Sequence, residues 1–289
     1  MTYTIQNQNL TATFKTKGAE LSSLIDKKGI EYIWQGDPKF WARHTPVLFP
    51  IVGRLKEDTY FIDGKCYQMG QHGFARDAEF ELVEQSETEI SFKLNNSVDN
   101  YSKYPFDFEL VISYKLSEKQ LEVGYLVNNT QASPIWFSIG AHPAFNCPIS
   151  PEKKKSDYFL NFGKKVDAEA ILLKNGLLTE ETNLKLEDTE AINIADDLFR
   201  NDALVFKNFP SNEVALADEN QKPYLKVVFE GFPFLGIWSK SKEGPFVCIE
   251  PWFGIADHVD SSQNFRDKEG MIQLEGAGEF SASYFIEVF

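Results

Sequence analysis

The chain predicts an all-β fold: a large antiparallel β-sandwich of two packed sheets. Three observations carry this reading. Apolar and polar residues alternate with period two over long stretches, as they do on half-buried strands. Aromatic residues make up 14% of the chain and include 25 Phe, against only three Met, a balance that suits sheets better than helix bundles. Asn-Gly and Asp-Gly pairs, the preferred hairpin turns, separate the alternating runs.

From the N-terminus, Asn7-Gln8-Asn9 lies between Tyr3-Thr4-Ile5 and Leu10-Thr11-Ala12 and reads as a first hairpin. Asp37-Pro38 has the form of a helix cap followed by Pro at the first helical position, leading into one or two turns through Phe40-Trp41. Asp63-Gly64 turns the chain between Tyr60-Phe61-Ile62 and Cys66-Tyr67. The clearest hairpin points Phe108, Leu110, Ile112, Tyr114 and Leu116 one way, turns at Ser117-Glu118-Lys119-Gln120, and resumes with Leu121, Val123, Tyr125 and Val127. Asn175-Gly176 marks a further turn within residues 156–197, where charges mix with short apolar runs and long loops or edge strands are expected. Strand-like segments continue to Phe289 without a repeat or a Gly/Ser linker, so residues 1–289 are expected to form a single domain.

Charge and cysteine usage narrow the function. Twenty-nine basic and 43 acidic residues leave a net charge of −14, which argues against nucleic-acid binding because phosphate contacts need clustered Lys and Arg. The one basic run, Lys153-Lys154-Lys155, reads as a solvated loop. Cys66, Cys147 and Cys248 are odd in number and widely scattered, so neither a disulfide framework nor a structural zinc site is indicated. With no apolar N-terminal segment and no run of about 18 apolar residues, the expectation is a cytoplasmic protein without a membrane partner.

Three short stretches concentrate chemistry: Gln71-His72-Gly73-Phe74-Ala75-Arg76, Gly140-Ala141-His142-Pro143-Ala144-Phe145 and Cys248-Ile249-Glu250-Pro251-Trp252. Each sets a titratable side chain beside Gly or Pro and an aromatic ring, a composition suited to a small-molecule pocket. His142 ends an apolar run, and Pro143 restricts it to extended or turn geometry; a hydrogen-bonded core His is the alternative. Glu250 ends the apolar segment Phe246-Val247-Cys248-Ile249, where desolvation raises a carboxylate's pKa and strengthens it as a base, unless it simply pairs with a structural cation. His72 and Arg76 share a Gly-containing loop, and Arg54 follows Pro50-Ile51-Val52-Gly53, where a guanidinium binds hydroxyls or anchors a carboxylate. Trp238 either stacks on a ligand or belongs to the core. His44 and His258 lack comparable context and read as structural or surface residues. No His-x-His or His-Glu-x-x-His spacing suggests a metal, and no Gly-rich phosphate loop suggests a nucleotide.

Taken in order, Gly18-Ala19-Glu20-Leu21, Pro46-Val47-Leu48-Phe49-Pro50, Gly53-Arg54-Leu55 and the three stretches above resemble the aldose 1-epimerase (galactose mutarotase-like) family, in particular its LacX-like branch, over nearly the whole chain. The resemblance implies a β-sandwich with the sugar in an open cleft and catalysis without metal or organic cofactor. It implies Glu250 as general base, His142 as general acid, His72 as the residue orienting the sugar near its ring oxygen, and Arg54 as a substrate-binding residue. The family's hydroxyl-binding Asp normally precedes a His; Asp202-Ala203-Leu204 is the best match and lacks that His. Arg76 resembles the pattern of members acting on hexose 6-phosphates. The partner implied is a small sugar or sugar phosphate, and the protein a monomer or homodimer; a binding protein of the same fold without catalysis is the competing reading.

Overall fold

The computed structural model describes residues 1–240 and 244–289. Antiparallel strands dominate it, so the all-β expectation holds. Three strands, Thr2–Gln6, Leu10–Lys15 and Leu21–Asp26, form one small sheet. Fifteen strands form the large one, whose hydrogen-bonded path begins at Val47–Leu48, Ile139–Ala141, Phe246–Phe253 and Phe234–Trp238 and ends at Phe108–Ser117, Glu89–Asn95 and Glu81–Gln85.

The two layers of the sandwich are therefore mostly one sheet that curls back on itself. Phe49, at the first end of the path, meets Phe108 near the other end with ring centroids 4.9 Å apart. Phe253 likewise meets Phe280 at 5.2 Å, and Phe14 of the small sheet packs on Tyr114 at 4.4 Å. A sheet of this size must curl or split to bury its apolar face, and one large continuous cluster of buried side chains fills the space between the layers, with two smaller clusters around Trp252 and Trp34. The alternation that marked Phe108–Ser117 appears as strictly alternating burial, with Leu110, Ile112, Tyr114 and Leu116 all inside.

Turn chemistry sets the hairpins. Asp63 and Gly64 both take positive φ (49° and 76°), as do Asn175 and Gly176 (54° and 79°), the geometry of two-residue turns that match strand twist. Residues 156–197 depart from expectation: they hold the two longest strands among the described residues, Phe159–Lys174 and Leu177–Asn193. Among the described strands the second pairs with the first alone, apart from a single bridge between Leu178 and His258, and has the edge position anticipated for this region. Its exposed face accounts for the charges, which mimic a loop in sequence.

Two local expectations need correction. Residues 38–40 form a turn instead of a helix, closed by Phe40 and Trp41 N–H groups donating to the Asp37 carbonyl at 3.0 and 2.9 Å. The 153–155 run is not uniformly solvated either. Lys155 is buried, donating to Ser239 Oγ at 2.7 Å and the Gly244 carbonyl at 2.9 Å, while Lys153 pairs with Glu219. Among the described residues no helix is long and apolar enough to cross a membrane, and the three cysteines are free thiols.

Candidate active site

The first end of the large sheet frames a cavity of about 530 Å³. Its floor depends on two glycines. Trp252 follows Glu250 by two residues on Phe246–Phe253, and its indole N–H donates to the Ala141 carbonyl at 3.0 Å. The ring then lies across Gly236 and Gly140: a Cβ on Gly140 would stand 2.6 Å from the indole, and one on Gly236 would collide with its six-membered ring. Absent side chains on the neighbouring strands thus make room for one large ring.

Glu250 is 1% exposed, opposite Gly236 in the strand register. His142 follows directly on Ile139–Ala141 and is 8% exposed. Its Nε2 lies 3.4 Å from Glu250 Oε2. That spacing suits an ion pair, yet both groups are driven toward their neutral forms. Burial, and then the negative Asp202, hold the Glu250 carboxyl well above its ordinary range, opposed only in part by the Trp252 indole. Burial, and then the Arg76 guanidinium, push His142 down to about 3. With each charge disfavoured on its own, burial favours the neutral carboxylic acid beside the neutral imidazole. Glu250 Oε2 and His142 Nδ1 have no protein hydrogen-bond partner.

His72 closes a second side. Its backbone has φ 67°, and the following Gly73 (φ 70°) passes so close to the Phe49 carbonyl that a side chain there would clash. The His72 ring stands edge-on to His142 with centroids 5.5 Å apart. Its Nδ1 accepts a hydrogen bond from the Gly53 N–H at 3.1 Å, so the neutral ring carries its proton on Nε2. Burial, reinforced by His142 and Arg76, holds it neutral. Arg76 anchors one end of its guanidinium on the Gln71 carbonyl at 2.7 Å, while its buried Nε has no hydrogen-bond partner. Burial lowers its pKa to about 10.

The sequence profile described as aldose 1-epimerase matches residues 1–268. The chain belongs to the aldose 1-epimerase family. Protein LacX (chromosomal) of Lactococcus lactis subsp. lactis is 33% identical over 298 residues, with 100% of this chain and 99% of that protein covered. Among solved structures, a galactose mutarotase related enzyme from Lactobacillus acidophilus superposes with TM-score 0.94 at 38% identity, covering 100% of this chain and 97% of that one. A galactose mutarotase-like protein from Lactobacillus casei gives 0.93 at 28% identity, with both chains covered in full.

In this aldose 1-epimerase family member, Glu250, His142, His72, Arg76, Asp202 and Trp238 all line the one cavity. Asp202 is exposed at the rim with φ 75°, its carboxylate accepting from the Ala203 N–H at 2.9 Å. Trp238 stands edge-on to His142 at 5.8 Å. Arg54 is the exception: it is outside the lining residues, and its guanidinium makes two 2.9 Å hydrogen bonds to Asp58. The carboxylate-anchoring alternative describes it better. His44 and His258 contact Glu20 and Glu180, away from the lining.

Trp41 was not anticipated as a site residue. Its indole stacks on the His142 imidazole, centroids 4.8 Å apart and planes 24° from parallel. Trp34 holds it there by donating its indole N–H to the Trp41 carbonyl at 2.8 Å. The Asp37-Pro38 signal located the turn that delivers Trp41, but nothing local showed where its ring would point. Gln71 and Lys240 also line the cavity.

Proposed function

We propose that this protein is an aldose mutarotase that interconverts the α and β anomers of a hexose by acid/base ring opening and closure. The observation that carries the reading is the buried Glu250–His142 pair, 3.4 Å apart on the cavity floor. Ring opening removes the C1 hydroxyl proton and protonates the ring oxygen. The open chain then rotates about C1–C2 and closes on the other face.

The pair's electrostatics suit this reaction. Moving its one proton from Glu250 to His142 prepares a carboxylate base and an imidazolium acid, a minority arrangement in this desolvated site. A carboxylate whose pKa is raised is a strong base, and an imidazolium whose pKa is depressed is a strong acid. When Glu250 takes the C1 hydroxyl proton and His142 delivers its own to the ring oxygen, the pair returns to the neutral form that burial favours. Ring opening therefore discharges two costly charges, and closure on the opposite face regenerates them. His72, neutral with its proton on Nε2, serves as a donor toward the ring oxygen. Asp202 and Gln71 offer hydroxyl contacts at the wall, and Trp238 an aromatic surface for the sugar's C–H face.

A second reading of the substrate, a hexose 6-phosphate, rests on Arg76, a guanidinium lining the cavity whose Nε makes no protein hydrogen bond and lies 3.8 Å from Asp77, in a wall that also contains Lys240. A charge-assisted contact there contributes roughly 1.5–3 kcal/mol. Polarimetry on freshly dissolved glucose, galactose and their 6-phosphates separates these readings. The mutarotase reading expects at least one sugar to equilibrate faster than spontaneously; the phosphate reading expects Arg76→Ala to weaken the 6-phosphate far more than the free sugar. No acceleration with any sugar that demonstrably binds would leave a non-catalytic binding protein.

A further inference from the structure

Beside the acid/base pair lies a thiol that the proposed reaction does not use. Cys248 precedes Glu250 by two residues on Phe246–Phe253, so both side chains leave the same face of the strand. It is fully buried, and its backbone is fixed by Ala144 on one side and Trp238 on the other. The Cys248 sulfur, a His142 ring nitrogen and a Glu250 carboxylate oxygen all lie within 4.8 Å of one another. Glu250 Oε2, the atom that faces His142 Nε2, is buried without a hydrogen-bond partner, leaving polar capacity in the floor that the protein itself does not satisfy.

We propose that Cys248, His142 and Glu250 form a three-ligand site for a borderline-soft divalent cation such as Zn²⁺, and that its occupation shuts the sugar site. A sulfur–nitrogen–oxygen donor set selects this class, whereas Mg²⁺ and Ca²⁺ require oxygen ligands. Metal–ligand lengths of about 2.0–2.3 Å place tetrahedral ligands about 3.3–3.8 Å apart. The 3.4 Å separation of His142 Nε2 and Glu250 Oε2 already falls in that range, and the sulfur reaches it by an approach of about 1 Å. One thiolate, one carboxylate and one neutral imidazole balance the dication, and coordination releases the thiol proton and the Glu250 carboxyl proton. Binding rests on this geometry alone, whereas inhibition rests on the mutarotase reading, because the cation takes the lone pairs needed to move protons on the sugar.

The test is a Co²⁺ titration of the full-length protein after EDTA treatment. The near-ultraviolet thiolate-to-cobalt band is expected to saturate at one equivalent, to be abolished by Zn²⁺, to persist in Cys66→Ala and to vanish in both Cys248→Ala and Cys248→Ser. In parallel, Zn²⁺ is expected to inhibit anomer exchange in competition with sugar, with Cys248→Ala keeping its basal turnover and needing at least about tenfold more Zn²⁺ for the same inhibition. A folded protein with no thiolate band at millimolar Co²⁺, or a band that survives in both Cys248 variants, overturns the site even if mutarotation is fast. A Cys248-dependent band in a protein that accelerates no sugar upholds the site and overturns the mutarotase reading instead.

Discussion

At the scale of single residues, the proposed function rests on holding two titratable groups against their ordinary preferences. The sequence placed Glu250 at the end of an apolar strand and so anticipated its desolvation; it could not show that His142 is equally buried and faces Arg76 through space, which makes the imidazolium a minority form. The pH dependence of turnover follows from this. Turnover above the spontaneous rate is expected to stay level across neutrality, where the pair holds one proton, and to fall on the alkaline side as that proton is lost. On the acid side the fall should come well below the ordinary imidazole range, because His142 is depressed to about 3. An acid limb centred near pH 6.5 would show that His142 titrates as an unperturbed side chain. The same shift affects stability. Glu250 has a folded pKa raised above its unfolded value, so unfolding above pH 5 releases a proton and this group's contribution to stability declines as pH rises. Glu250→Gln removes that dependence, and its melting temperature is expected to gain on the wild type as pH rises above about 5; a gap that stays constant from pH 5 upward would contradict the raised pKa. Trp41→Leu, which removes the ring stacked on His142, is expected to lower kcat by about tenfold, the equivalent of roughly 1.5 kcal/mol of aromatic pairing, while leaving the fold intact by circular dichroism.

At the scale of elements, the site is a property of facing strands and of what their glycines omit. Gly236→Ala puts a methyl group into the Trp252 ring, and overpacking of this kind costs about 1–3 kcal/mol. Chemical denaturation should register that loss together with reduced turnover, since Trp252 and Glu250 share a strand. Wild-type stability in the variant would show that the indole moves freely. Strand content was legible where one face is buried, as in Phe108–Ser117, because burial alternates with the pleat. It was obscure in Leu177–Asn193, an edge strand whose charges face solvent, and the turn at 38–40 resembled a helix start because Asp37 caps both structures in the same way. The ordered motifs identified most of the residues that line the cavity but not Trp41, which reaches the site only through the packing of distant segments. For Arg54 the carboxylate-anchoring alternative matches the observed contacts: its partner Asp58, four residues on, satisfies the guanidinium locally.

At the scale of the whole molecule, the large sheet and the small one enclose one dominant core that spans both, and we propose that residues 1–289 unfold as a unit. Calorimetry is expected to show a single transition, and two resolved transitions would divide the chain into separate domains. The net charge of −14 sets a background that repels anions, so if the substrate is a sugar 6-phosphate its KM should fall as added salt screens that field; a rise would mean that attraction to Arg76 outweighs the background. EDTA should leave turnover undiminished, because every proposed proton transfer uses side chains of the chain itself. The central claim is that the intact protein moves protons on a sugar through Glu250 and His142, and NMR exchange spectroscopy between the α and β anomeric signals tests it most directly. With wild-type protein the exchange rate is expected to rise well above the spontaneous rate for at least one hexose or hexose phosphate. Glu250→Gln and His142→Asn should each reduce the added rate by about 10²–10⁴-fold while the sugar still binds. Wild-type exchange rates in either folded variant, or no acceleration by the wild type for any sugar it binds, would contradict the account.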